Sequence, residues 1–311
     1  MGICALCLKE ERLVASHLIP AFVYRWLKET GATGFLRGAT KVNLRVQDGE
    51  KRNLLCTQCE GIFNDYETNF AKMIFYPYVS QELSDAGIAT GTIGSFTYTD
   101  WLLRFVISIH WRLIVTHDAP TDKHIPKKLL TCLNNMREPW RKFLLKESDH
   151  TGDCESHIIF LQNLAAGQGT LPSNINENIN FYLLRAVDAT SISSRNKIGV
   201  YSKVGPIAFM TTIRPNKFVN AADTRIRMKG KIKTAQSIRN QLIAKFVFIT
   251  RPNEAFTKAK YSEKQLKVIE NAYIANPEKA KKSMTIKAAE ADLILKHKKG
   301  ISVRTNNFDV E

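Results

Sequence analysis

The sequence contains no hydrophobic run long enough to span a bilayer. Its longest apolar stretch, Trp101 to Val115, is too short and is interrupted by Arg104, His110 and Arg112. A buried core helix is the expected reading. The start, MGICALCLKE, lacks the charged segment and apolar run of a secretory signal, so the cytoplasm is the expected compartment. No internal repeat is visible, which argues against a solenoid or propeller. Acidic residues are in deficit: 29 Asp and Glu stand against 45 Lys and Arg, a formal net charge of +16. That imbalance favours an acidic partner, with nucleic acid ahead of an anionic membrane.

The positive charge is unevenly placed. Residues 217 to 300 hold 20 basic and 7 acidic residues, whereas residues 1 to 80 hold 10 and 8. The basic C-terminal third is either a solvated helix surface or a phosphate-binding one. A chain of 311 residues suits two domains, or one large domain with appendages. The expected division is 1–80 as a cysteine-bearing unit and 81–311 as a mixed accessory domain ending in basic helices.

Six cysteines are present, and four form two CxxC pairs, Cys4/Cys7 and Cys56/Cys59. In a reducing compartment such pairs point to metal rather than disulfides. Four thiolates suit a tetrahedral structural zinc. A zinc held by four cysteines is closed and performs no chemistry itself, so the question is what it holds in place. Cys132 and Cys154 read as idle thiols.

Hydrophobic periodicity predicts helices over 21–29, 60–74, 101–115 and 127–145, the last interrupted by Pro139. Asp48-Gly49, between Val42/Leu44/Val46 and Asn53/Leu55, reads as a hairpin. Residues 81–95 read as a loop. Residues 156–161, 179–187, 198–203 and 206–213 read as strands of a small antiparallel sheet. A helix is expected over 236–248. Ser262 and Gln265 form a capping box for another over 262–275. Asn276 and Pro277 open a last helix, with Gly300 suited to its end. The fold class is therefore α+β.

Between and beside the cysteine pairs stand an imidazole and up to three side chains with oxygen ligands. His17 lies between the pairs, Glu60 follows the last cysteine, and Asn64 and Glu67 lie one and two helical turns further. Such an imidazole with oxygen ligands suits a hard divalent cation. Arg25 and Lys28 follow on the helix after His17 and read first as ordinary surface charge, with phosphate contact as the alternative. Trp111-Arg112 and Trp140-Arg141 read as packing residues with charged neighbours. His110, His117 and His157 show no ligand-like spacing and read as structural.

The segments CALC at 4–7, SHLIP at 16–20 and NLLCTQCE at 53–60 resemble, in that order, the zinc-containing HNH or His-Me finger endonucleases. The resemblance covers about a quarter of the chain. It implies a zinc-stapled, treble-clef-like ββα unit. It implies His17 as the base that activates water, and Glu60 with Asn64 as holders of a catalytic magnesium or manganese. The family's middle Asn corresponds to Asn53 or Asn43. Ser16 stands where many members carry Asp or His, and Glu60 where many carry His or Asn. The implied substrate is nucleic acid, DNA ahead of RNA, with no membrane partner. A regulatory protein partner, as in a toxin or antiviral defence system, would fit a nuclease needing control. The competing expectation is a non-catalytic module, binding nucleic acid or protein on a degenerate HNH fold.

Overall fold

The structure is a computed structural model. It describes residues 1–38, 41–82, 94–116, 127–166, 171–194, 196–256 and 261–298. Most of the loop expected over 81–95, together with His117 and Gly300, lies outside them.

The chain opens with a short hairpin, β1 (Gly2–Ile3) and β2 (Glu10–Glu11), that encloses the first CxxC turn. β3 (Leu13–His17) leads through Pro20 into α1 (Ala21–Glu29). Phe22, Val23 and Trp26 form the buried stripe of α1. After β4 (Leu36–Arg37) and β5 (Arg45–Val46), β6 (Lys51–Cys56) runs antiparallel to β3. β6 ends at Cys56, which is also the N-cap of α2 (Thr57–Phe70). A π-turn, Ala71–Phe75, continues α2 into α3 (Tyr76–Glu82).

The hairpin expected around Asp48-Gly49 does not form. Leu55 pairs with Val14 and Asn53 with Ala15, while Arg45 and Val46 pair back to Arg37 and Leu36. The long-range pairing wins because it buries Leu55 completely, whereas Leu44 and Val46 stay exposed. Gly49 serves a different purpose. A Cβ there would lie 2.2 Å from the Tyr24 ring, so any larger residue would displace that ring where the loop closes on α1.

β7 (Ser95–Tyr98) precedes α4 (Asp100–Thr116), the apolar run singled out in the sequence. Residues 102–114 of α4 are all buried, the pattern of a helix enclosed on every side. α5 (Lys127–Leu144) packs along it and carries Pro139 without a break in the assigned helix. A four-stranded antiparallel sheet follows, from β8 (Glu155–Phe160), β9 (Val187–Ser194), β10 (Lys197–Val204) and β11 (Ile207–Arg214), in spatial order β8-β11-β10-β9. Residues 179–185, expected as strand, are instead α6 (Ile179–Arg185). The N–H groups of Asn180 and Phe181 donate to the Asp292 carboxylate at 2.7 and 3.0 Å, which caps that helix from far along the chain.

Strand alternation gives the sheet two apolar faces. Ile158, Phe160, Val200, Val204 and Phe209 join the core shared with α1, α2, α4 and α5. Ile159, Tyr201, Ala208 and Met210 join a second core with α6 and the C-terminal helices. Beyond the sheet come β12 (Gly230–Lys233), paired with β7, then α7 (Gln241–Lys245), a π-turn at Phe246–Thr250, and α8 (Arg251–Ala255). The single helix expected over 236–248 is thus shorter at its start and continues through the π-turn. Asn240 caps it by accepting from Leu242 and Ile243. α9 (Glu263–Ala275) is capped by Ser262, α10 (Pro277–Lys281) by Asn276, and α11 (Met284–Lys298) closes the described chain. No helix among the described residues is long and apolar enough to cross a membrane.

α6 and the C-terminal helices reach the N-terminal unit. Arg185 donates to Thr30 Oγ1 and Leu27 O at the end of α1, and Met284 N donates to Thr30 O. Arg37 donates to Gln265 Oε1 at 3.0 Å, and Asn43 Oδ1 accepts from Ser262 N at 2.8 Å. Basic residues distant in sequence, among them exposed Lys264 and Lys267 of α9, therefore stand on an element that touches the β4–β5 region.

Candidate metal centre and the His17 site

The four cysteines of the two CxxC pairs converge. One ligand atom from each of Cys4, Cys7, Cys56 and Cys59 lies within 4.8 Å of all the others. Cys7 Sγ and Cys56 Sγ are 3.9 Å apart. A tetrahedron with Zn–S bonds of about 2.3 Å requires S···S separations of about 3.8 Å, so the cluster has zinc dimensions. Among the described residues it is the one group of three or more His, Cys, Asp or Glu with such convergence.

Local structure explains the convergence. Leu8, at φ 62°, turns the chain back after the first CxxC, and its N–H donates to Cys4 O at 2.9 Å. Cys4 N donates to Lys9 O, closing the knuckle. The second pair sits on the end of β6 and the first turn of α2. Cys56 N donates to Cys4 Sγ at 3.3 Å, tying the two halves together. Burial opposes ionisation of Cys4, but N–H groups of Cys7, Cys56 and Leu6 outweigh it and bring the thiol down to about 7. Burial and the neighbouring thiols push Cys7 and Cys59 the other way, so a bound cation would be what holds all four as thiolates. Cys132 and Cys154 are free thiols outside the cluster.

Two polar contacts lie on the strand and helix that lead away from this centre. Ser16 is fully buried at the penultimate position of β3, and its Oγ donates to Glu60 Oε2 at 2.5 Å. Glu60 is in the first turn of α2, immediately after Cys59, where a carboxylate also meets the positive end of the helix. The other Glu60 oxygen has no hydrogen-bond partner among the described residues. His17, the last residue of β3, contacts a different group. Its Nε2 lies 2.9 Å from Asp48 Oδ2, and its ring stacks near Tyr24 at 6.3 Å between centroids.

Asp48 is a site neighbour that the sequence offered only as a turn residue. Partial burial opposes its ionisation. Hydrogen bonds from Lys51, His17 and the Gly49 N–H outweigh that and hold its carboxyl well below the usual range. An ionised carboxylate accepts only, so the proton between the two groups belongs to His17 Nε2. In neutral His17 the free lone pair is then on Nδ1.

Behind the site, Arg112 of α4 is completely buried. It donates to His17 O at 2.5 Å and to Glu67 Oε1 at 2.6 Å, and its guanidinium lies 5.1 Å from the Phe63 ring centroid. Arg112 is therefore no mere charged neighbour of a packing tryptophan. It fixes the carbonyl of the candidate base and takes up Glu67, which is thereby engaged in an ion pair. The signal for it was present as an arginine inside an otherwise apolar helix, a residue that must find a partner when buried.

The remaining predicted residues are dispersed. Asn64 is exposed on α2 and Arg25 is exposed on α1. Lys28 donates to Gln47 O at 3.0 Å, which anchors the loop that carries Asp48. Asn53 sits in β6 opposite Ala15, and Asn43 is bound to Ser262. Ser16 with Glu60, and His17 with Asp48, are thus the two pairs brought together.

Comparison with protein families, with curated proteins and with solved structures returns no match. What the fold and the site define is an α+β protein with a tetra-cysteine group able to hold a metal ion, consistent with structural zinc.

Proposed function

We propose that the chain is a metal-dependent endonuclease of HNH type, acting on nucleic acid and on DNA ahead of RNA. The observation that carries the reading is the order of parts around the cysteine cluster. A knuckle, a strand ending in Ser16-His17, an antiparallel strand and a helix opening on Cys59-Glu60 surround one metal-sized group of thiols. The zinc would tie the first knuckle to the end of β6 and the start of α2 and takes no part in the reaction.

In this reading His17 is the general base. Asp48 holds the ring through Nε2 and directs Nδ1 toward an attacking water, and Arg112 fixes the backbone of the same residue. Glu60, with Asn64 contributing from one turn further, would hold a magnesium or manganese ion, which supplies charge neutralisation at the phosphate and the leaving oxygen. Ser16 keeps the Glu60 carboxylate aimed at that position. Arg25 and Lys28 would bind phosphate beside it, and the lysines of α9 and α10 would extend the contact along the backbone of the substrate. Regulation by a protein partner in a defence setting remains compatible with the large accessory region.

One observation favours a second reading. Each reactive group already has a partner within the protein: His17 has Asp48, and Glu60 has Ser16. A zinc-stapled binding module on a degenerate HNH fold would look the same. Incubation of plasmid DNA and of structured RNA with the protein and with His17→Ala, each with and without manganese, separates the two. Metal-dependent cleavage should fall about 10²–10⁴-fold in the variant. Equal activity in both, or binding without cleavage in the wild type, would leave the binding module.

A further inference from the structure

On the sheet face remote from α4 lies a cavity of about 310 Å³ between β9, β10, β11 and the α7–α8 segment. This volume is at the small end of ligand pockets, about 300–1,000 Å³. Its floor includes Met210 and Thr212, which are buried in the sheet, with Ile192 and Leu242 beside them. Lys197, Arg214 and Lys245 stand around it, and none has an ion-pair partner among the described residues. The one acid on the lining, Glu254, is already engaged by Arg251 at 3.3 Å. The cavity therefore presents an apolar base and an uncompensated positive rim.

Two departures from regular structure fall on its walls. The register of β10 against β11 shifts between Ile198 and Gly199, a bulge within the wall formed by Lys197, Ile198 and Gly199. The helix opposite widens into the π-turn Phe246–Thr250, and both end residues of that turn line the cavity. Bulges and π-turns each sacrifice regular hydrogen bonding and are over-represented beside functional sites. Here two unrelated elements make that sacrifice at the same place. Phe246 is half-buried there, with an edge on Tyr201 at 5.2 Å, and offers a ring to a planar ligand.

We infer that this cavity binds a nucleoside monophosphate, its base over the apolar floor beside Phe246 and its phosphate among Lys197, Arg214 and Lys245. The inference stands apart from the nuclease reading, because it concerns the opposite face of the sheet and is read by binding alone. The size of the cavity favours a free mononucleotide over an oligonucleotide.

Titration calorimetry of the full, zinc-loaded chain tests it. The probes are the four common ribonucleoside monophosphates, their nucleosides, inorganic phosphate and a short single-stranded oligonucleotide. At least one monophosphate should bind at least about tenfold more tightly than its nucleoside and than inorganic phosphate. The triple variant Lys197→Gln, Arg214→Gln, Lys245→Gln should weaken it about tenfold or more. Lys245→Glu, an exposed single change, serves if the triple variant does not fold. No binding of any monophosphate at about 1 mM would overturn the inference. So would affinity unchanged in the variants, inorganic phosphate binding equally well, or binding of the oligonucleotide alone.

Discussion

Asp292 shows how one buried side chain can shape both a helix and a pH response. It is almost wholly buried, and it accepts from the first N–H groups of α6. Burial pushes its carboxyl up to about 6 despite those donors and Lys296. Between about pH 4 and 6 the folded state thus holds a proton that the unfolded chain releases. The contribution of this group to stability therefore falls as pH rises through that window, by on the order of 2–3 kcal/mol. Asp292→Asn should flatten the dependence there, as read by urea unfolding at several pH values. His110 works in the opposite direction. It is fully buried between Ser202 and Thr211, and burial lowers its pKa to about 3. The unfolded chain takes up this proton more readily, so stability from His110 falls as pH drops below about 6.5. At the candidate site, Asp48→Asn should reduce cleavage by about 10²-fold or more by releasing the tautomer and orientation of His17. Unchanged cleavage would remove Asp48 from the account.

At the level of elements, α4 joins the parts of the molecule. Its buried polar residues serve separate neighbours: Arg104 reaches Phe143 O of α5, His110 the sheet, and Arg112 both β3 and α2. Removing one partner of a buried ion pair costs about 3–5 kcal/mol. Arg112→Ala should therefore lower stability by that order in a denaturant titration and lower cleavage further, while zinc content is retained. Loss of zinc in this variant would mean that α4, rather than the cysteines, assembles the N-terminal unit. Much at this scale was legible in the sequence, because the signals are local. The CxxC spacing, the stripe of α1 and the apolar run of α4 depend only on near neighbours. The two elements misread depend on distant ones. Residues 179–185 are rich in strand-forming Ile, Phe and Tyr, and a helix forms with its cap supplied by Asp292. At Asp48-Gly49 the expected hairpin gives way because β6 finds β3, which local turn chemistry does not encode. Asp48 and Arg112 were missed as site residues for the same reason: each acts through a contact made across the fold.

At the scale of the whole molecule, the cysteine unit is not an appendage. The core that contains Cys4, Phe22 and Phe63 is continuous with that of α4, α5 and one face of the sheet. Gly205, at φ 59° in the β10–β11 turn, lies so close to Trp26 of α1 that a Cβ would approach its ring to 2.7 Å. If the positive charge of the C-terminal third serves nucleic-acid binding, affinity should fall steeply with salt, and Lys264→Gln with Lys267→Gln should make that slope shallower. An unaltered slope would move the binding surface elsewhere. The four-cysteine centre underlies all of this, since the β1–β2 knuckle, β6 and α2 meet on it. X-ray absorption at the zinc edge, with metal analysis of the purified protein, addresses it most directly. The account predicts one zinc per chain with four sulfur neighbours at about 2.3 Å, and loss of that zinc in Cys59→Ser. A well-folded protein without zinc, or with nitrogen and oxygen ligands in place of sulfur, would contradict it.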